Sequence, residues 1–367
     1  MNTQQQKPDI SQMVSPFLIF FILFSSQMGE GILSFGRKIT KIAGYDSWIS
    51  VLITGFLVTL VIIVIWRLIP PHEDLIDIHQ TLFGKIIGNL LSFLFGIYLL
   101  VISMFVLRSY VEIIQVWFFP DLSLLWFYFI IYLLIVYIVL GGFRIIVGFA
   151  FFSAWIPLSL LFTVYTPFKT GHIENLLPIL STDYLNIIKA VEPIVSSFLG
   201  VELILLFAPF IRQFHKSRKW AISANIYTTL LYLLIIIADF FYFSENQIQQ
   251  LTWPALHVWK IVSLPFIERF EYVGISLHFG SIIATTGLYF WGSVQSFHRL
   301  TKFSFRGISI ISAISGVACM FVLSDYLIVE KLSALLTKAG MYLLFLYIPF
   351  LYICHIIHTG VKKRLES

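Results

Sequence analysis

The stretch Ser25-Ser26-Gln27-Met28-Gly29-Glu30-Gly31-Ile32-Leu33 interrupts a long apolar run with a carboxylate held between two glycines. An acid at the centre of a bilayer costs several kcal/mol unless it faces protein or water. The flanking glycines let the backbone leave helical geometry. Unwound backbone at that depth is tolerated only where it lines a cavity or is covered by protein. A second stretch, Ser196-Ser197-Phe198-Leu199-Gly200-Val201-Glu202, carries the same ingredients in a later apolar run. The chemistry such breaks offer is binding. Half-helix N-termini present free N–H groups and a partial positive charge, suited to a carboxylate. Freed carbonyls suit an ammonium group or a cation, so two facing breaks would hold both ends of a zwitterion. Gly29, Gly31 and Gly200 also fit a plainer reading, in which small residues only let helices pack closely. Glu202 lies about 18 Å of helix rise into its segment, which puts it near the midplane. There it is either a neutral carboxyl bonded to nearby backbone or a group that accepts a proton or an ammonium.

The elements that must position these residues are membrane spans. The chain has 367 residues, of which 59% are apolar and only 12% charged, a balance no soluble domain could solvate. Phe 37, Tyr 17 and Trp 9 supply interface belts and helix packing. With about 20 apolar residues needed to cross the hydrocarbon, the sequence predicts an all-α polytopic protein of about ten spans. They are placed near 13–35, 47–68, 87–108, 122–140 and 144–166, then 190–211, 219–243, 271–295, 306–324 and 338–358. Pro70-Pro71, Phe119-Pro120-Asp121, Gly141-Gly142 and Thr166-Pro167 end helices between them. This divides the chain into a tail (1–12), a five-helix repeat (13–166), an extracytoplasmic loop (167–189), a second repeat (190–358) and a tail (359–367). The first apolar run is too long for a signal-peptide core and lacks a cleavage site, so it is expected to be retained.

Basic residues cluster at Arg212, Lys216, Arg218 and Lys219, at Arg299, Lys302 and Arg306, and at Lys362, Lys363 and Arg364. By the positive-inside rule both termini are then cytoplasmic; Arg37, Lys38 and Lys41 argue the other way. Each half opens with a glycine-broken helix carrying an acid, and the halves would be inverted relative to one another, the pattern that points to a transporter-type site. Lesser candidates read structurally. Arg108 and Glu112 form an interfacial ion pair, Gly84 and Gly88 a packing signal, and Asp239 a wet residue near the outer surface. His355 and His358 snorkel, and Cys319 and Cys354 are free thiols. His72-Glu73-Asp74-Leu75-Ile76 resembles the start of a zinc-protease motif, but Ile76 stands where its second histidine belongs. No nucleophile elbow, phosphate loop or paired cysteines appear, so neither an enzyme nor a metal or cofactor protein is expected.

Gly29-Glu30-Gly31-Ile32-Leu33 resembles the G-x-G-I-L element of permeases of the amino acid–polyamine–organocation superfamily. Phe198-Leu199-Gly200-Val201-Glu202 with Pro209, Asn175-Leu176-Leu177-Pro178-Ile179-Leu180, Trp253-Pro254, and Phe266-Ile267-Glu268-Arg269-Phe270-Glu271 resemble, in that order, the B subunit of GerA-type spore germinant receptors. The resemblance implies a LeuT-type fold, a 5+5 inverted repeat with broken helices 1 and 6. It implies residence in the spore inner membrane, an A subunit and a lipoprotein C subunit as partners, and a small nutrient, often an amino acid, as ligand. It implies ligand binding at Gly29, Glu30 and Gly31 and at Phe198, Leu199, Gly200 and Glu202. Tyr98, Thr285 and Thr286 stand where such folds commonly line the pocket. Glu30 departs from the superfamily, which usually places a small polar residue between the glycines. Sensor, proton-coupled amino acid transporter (through Glu202 or Glu30) and scaffold with a vestigial pocket all remain open, because they share the fold.

Overall fold

A computed structural model of the chain describes residues 9–70, 72–121, 123–319, 323 and 325–365. Residues 1–8, Glu366 and the side chains of Lys362, Lys363 and Arg364, which the reading of the tails and part of the topology used, lie outside what is described.

Helices form wherever the apolar runs demand internal satisfaction of the backbone. The first run breaks into α1 (Pro16–Gln27) and α2 (Gly31–Ala43), followed by α3 (Trp48–Leu68) and α4 (Leu75–Trp117). The first half of the chain closes with α5 (Leu124–Leu140) and α6 (Phe143–Thr170). The second half opens on another broken helix, α7 (Tyr184–Phe198) and α8 (Val201–Phe210), bent by 50°. Then come α9 (Arg218–Tyr242), two short surface helices, α10 (Glu245–Gln250) and α11 (Pro254–Lys260), and the long α12 (Phe270–Leu300). The chain ends with α13 (Phe305–Cys319) and α14 (Leu327–Val361). Counting each broken helix once, these make ten apolar segments in two sets of five, with no strand among the described residues. Side chains such as Phe56, Trp126, Tyr137, Phe152 and Leu335 are exposed around the outside, as lipid-facing residues are. The core is centred on α1, α4, α9 and α12, where Phe24, Tyr110, Tyr232, Tyr289 and Phe290 are fully enclosed.

Several helices outrun the hydrophobic ruler. The third span begins at Leu75, not near 87, and the last is helical well before 338. Hydropathy measures what lipid touches, whereas helix continues as long as backbone and caps permit. Asp74 and Asp77 form a capping box that starts α4 early, and both are tied to Arg299 at 3.0 and 2.7 Å. Gly84 then takes φ +75°, with open space where a Cβ would sit, so it is a kink and not the packing contact the sequence suggested. Gly88 is the close approach: a Cβ there would lie 2.7 Å from the backbone carbon of His79.

Hydrogen bonds sort the connections onto two sides. On one, Val14 pairs with Phe210 and Arg212, and Arg144 reaches the carbonyls of Ile10 and Met13. On the other, the Asp46 carboxylate accepts from Leu180 N–H and Thr182 N–H, both at 2.8 Å, and from the Ser181 hydroxyl. Burial alone would raise the pKa of Asp46, but these donors outweigh it and hold the carboxyl below its ordinary range. A depressed carboxyl stabilises the folded state above its unfolded pKa, and that contribution is lost as pH falls through the folded value. Asp46→Asn is therefore expected to lower the stability of this loop by about 1–2 kcal/mol near neutral pH, with the difference from wild type vanishing in acid. Amide hydrogen exchange at Leu180 and Thr182 measures this; equal exchange rates in the two proteins near neutrality would refute it.

Candidate functional site

The two breaks lie side by side at the centre of the bundle, and their geometry follows from where the freed backbone groups find partners. Tyr232 on α9 fastens both: its hydroxyl lies 2.5 Å from the Gln27 carbonyl and 3.0 Å from the Ser197 carbonyl. The Gln27 amide donates to the Phe198 carbonyl at 3.2 Å and to Asn225 at 3.4 Å. The Ser25 carbonyl accepts from Thr285 on α12 at 2.6 Å, and the Ser25 hydroxyl donates to the Ala150 carbonyl of α6 at 2.9 Å. Tyr232→Phe removes the one hydroxyl shared by the two breaks. It is expected to cost about 1–3 kcal/mol for the carbonyls left without it, read as a lower unfolding temperature of the purified protein. An unchanged temperature would mean that the breaks hold without it.

Gly200 takes φ +120°, ψ −20°, a conformation L side chains rarely adopt, and this turns α7 into α8. Its N–H is not left for a ligand, because the Glu202 carboxylate accepts it at 2.8 Å. The other Glu202 oxygen lies 3.2 Å from the Tyr289 hydroxyl and 3.5 Å from that of Tyr98. Fully enclosed, Glu202 fills the N-terminal anion position of α8 with the chain's own carboxylate.

A cavity of about 50 Å³ remains between the breaks, α4, α12 and α14. Of the residues expected from sequence, Gly29, Glu30, Gly31, Leu199 and Thr285 line it. Phe198 contributes its carbonyl to Gln27 and its ring to Tyr232. Gly200, Glu202 and Tyr98 form the adjoining lock, while Thr286 gives its carbonyl to Ser103 and does not line the cavity. Sequence reading did not single out Gln27, Tyr289, Lys38, Ser333 or Thr337, all of which line it. The signal for Gln27 was present, since a glutamine two residues before the break sits in an otherwise apolar helix. The α14 residues gave none. Two buried polar atoms in this lining have no hydrogen-bond partner, Gln27 Oε1 and Ser197 Oγ. Gly31 keeps the lining tight: a Cβ there would lie 2.6 Å from Ser197 Oγ.

A wider cavity of about 370 Å³ opens towards the Asp46 side and shares Glu30, Lys38, Phe105 and Ser333 with the inner one. Arg37, Lys38, Lys41, Glu112 and Glu330 charge its walls. The three basic residues that contradicted the charge rule are thus vestibule residues on α2. Arg108 and Glu112 pair at 3.1 Å beside it, as expected. The His79 ring bonds Ser92 at 2.9 Å and Tyr347 at 2.8 Å. Asp239 is not wet but 1% exposed. Cys319 and Cys354 are free thiols.

Two facing broken helices around a central cavity with one open vestibule define a protein of the LeuT-type transporter fold. Solved structures show the same architecture at low sequence identity. A nucleobase-cation-symport-1 family transporter, in a closed conformation with bromovinylhydantoin bound, superimposes with a TM-score of 0.63 at 14% identity, over 96% of this chain and 84% of that one. A Na⁺-coupled sialic acid symporter in a substrate-bound outward-open state gives 0.61 at 13% identity, over 92% and 79%. The chain belongs to the spore germination protein family of permeases, whose model matches residues 13–326. It is 34% identical to spore germination protein GerQB of Bacillus cereus over 94% of this chain and 96% of that protein. It is 23% identical to spore germination protein A2 of Bacillus subtilis (strain 168) over 68% and 70%.

Proposed function

We propose that this multi-pass membrane protein is the B subunit of a spore germinant receptor, binding an amino acid or similarly small metabolite in the cavity between its breaks. The observation that carries this reading is the pair of buried, unpartnered acceptors, Gln27 Oε1 and Ser197 Oγ, in a cavity walled by unwound backbone. Native proteins rarely leave such atoms without a partner. Glu202 already occupies the donor at the start of α8. The groups left for a ligand are therefore an amide oxygen, a hydroxyl, Glu30 and Lys38, which suit a ligand carrying both donors and an anionic or carbonyl group. Gly29, Glu30, Gly31, Leu199 and Thr285 would touch it; Gly200, Glu202 and Tyr98 would hold the break that shapes the cavity. Binding can bias the protein only through different affinity for two arrangements of α2 and α7. The partners are an A subunit and a lipoprotein C subunit in the spore inner membrane, with both termini of this chain cytoplasmic. The protein acts by binding and signalling, not by bond chemistry.

The continuity of the vestibule with the cavity favours a second reading, a secondary amino acid transporter. Equilibrium binding and labelled amino acid counterflow, measured on this chain in proteoliposomes across an amino acid panel, separate the two. Binding without flux is the expected result. Flux abolished by Gly200→Leu would establish the transporter. Neither binding nor flux in the assembled three-subunit receptor would remove the pocket.

A further inference from the structure

Behind α2, on the face away from the vestibule, lies a second cavity of about 50 Å³ enclosed by α2, α6, α9, α11 and α12. Its walls are hydrocarbon, Ile32, Leu160, Ile235 and Val258 among them, apart from Thr163, Asp239 and His278. The Thr163 hydroxyl is spent on the Leu160 carbonyl at 2.7 Å. Asp239 Oδ1 and His278 Nε2 are both buried without a hydrogen-bond partner, and their residues are 1% and 2% exposed. Two orphaned polar atoms on different helices facing one largely apolar cavity is an expensive arrangement unless something joins them. A metal ion does not fit, because hard cations require several oxygen ligands and these two side chains offer one carboxylate and one imidazole. No group of three or more potential metal ligands occurs among the described residues. The smallest species that satisfies an acid and an imidazole together is a proton, with room for water between them.

We infer that Asp239 and His278 form a proton-binding site that grips the second half of the first broken helix. Loading takes one proton from water onto the Asp239 carboxyl or the His278 ring, the two communicating through water in the cavity they line; release returns it to water. The grip is direct. The His278 ring lies against the Gly29 carbonyl of the break, and Asp239 Oδ2 lies 3.1 Å from where a Cβ on Gly36 would stand. Other ionisable groups on the surrounding helices face elsewhere. Arg37, Lys38, Lys41 and Glu30 of α2 line the vestibule or the inner cavity. On α12, Glu271 pairs with Arg269 at 2.9 Å, and on α11 the His257 ring bonds the Trp253 carbonyl while Lys260 is exposed. Lys169 of α6 is exposed over Tyr165, Glu245 of α10 packs on Gly44, and the Tyr110 hydroxyl of α4 donates to the Ile275 carbonyl. The site lies on the opposite side of α2 from the proposed nutrient pocket and meets it at Gly29, whose carbonyl His278 touches.

Trp259 reports on the site, since its ring lies 6.4 Å from that of His278. The full chain in lipid nanodiscs is titrated with acid and base alone, following tryptophan emission. A pH-dependent step is expected that is lost in Trp259→Phe and in His278→Gln, and that moves by about one pH unit or more in Asp239→Asn, as an adjacent ionisable group demands. Emission flat with pH in the monodisperse wild type overturns the inference, as does a step that Asp239→Asn leaves in place. Should Asp239→Asn not fold, Asp239→Glu, which keeps the acid, must retain the step. A thiol placed at Ser34 on the vestibule side of α2, with Cys319 and Cys354 replaced, reads the grip. Its labelling rate, corrected for the thiolate fraction at each pH, is expected to follow the same pH step, to shift with it in Asp239→Asn and to be flat in His278→Gln; a corrected rate insensitive to pH in the otherwise wild-type protein also overturns the inference.

Discussion

Gly200→Leu is expected to abolish the ligand response while the protein still reaches the membrane. Two independent effects converge at this position. The backbone sits at φ +120°, where any L side chain is strained, at a cost of about 1–3 kcal/mol. A Cβ would also lie 2.6 Å from the Cβ of Ser26 and 3.2 Å from its backbone carbon. Ser26 lies in the last turn of α1 and lines the inner cavity, so a leucine must drive the first break away from the second. The surrounding helices are long and apolar, which is why insertion survives. Ligand binding is expected to fall more than about a hundredfold, the equivalent of roughly 3 kcal/mol. Binding isotherms on membranes with matched protein abundance measure it. Ser26→Gly relieves the steric part and should recover some binding by Gly200→Ala, the coupling expected of residues in contact. A normal dose response in Gly200→Leu would dissociate the break from ligand recognition.

Glu202→Ala is expected to be the most destabilising single change at the site. It strands the Gly200 N–H and the hydroxyls of Tyr289 and Tyr98 in a fully enclosed position. A buried group left unsatisfied costs about 1–3 kcal/mol, and at least the first two are bonded well enough to count in full. Glu202→Gln keeps one acceptor oxygen and exchanges the other for a donor that faces donors, so it should fall between alanine and wild type. Thermal unfolding in nanodiscs gives the order wild type, Gln, Ala. A Glu202→Ala protein as stable as wild type would show that the carboxylate is not a structural acceptor. Of the two readings its depth in the bilayer allows, the bond to Gly200 N–H favours a carboxyl held by nearby backbone over a proton or ammonium acceptor.

The breaks themselves were legible because glycine and a carboxylate inside an apolar run have few structural excuses. Gly29-Glu30-Gly31 and Gly200 mark where the helices part, and the structure puts them there. Which acid does what was not legible. Glu202 and Asp239 are both single acids in apolar helices, and depth along the chain ranked the first as functional and the second as wet. Neighbours reversed that order: Glu202 is saturated by its own backbone and two tyrosines, and Asp239 is enclosed with an oxygen to spare. Thr285 and Thr286 are adjacent in sequence, yet only Thr285 faces the first break. One residue along a helix turns a side chain by about 100°.

What the sequence alone determined is what hydrophobicity and backbone chemistry dictate locally. That includes a polytopic helical protein of about ten segments, with two broken helices opening its halves. These follow from the cost of exposing polar backbone to lipid, a cost each segment bears without regard to its neighbours. Tertiary structure alone decided the hydrogen-bond partners of the freed backbone groups, the placing of Lys38 and the α14 residues around the cavity, and the enclosure of Asp239 and His278 behind α2. Those outcomes depend on groups far apart in the chain meeting across helix interfaces, such as Gln27 with Phe198 and Ser25 with Thr285, and no local pattern encodes which face of one helix meets which face of another.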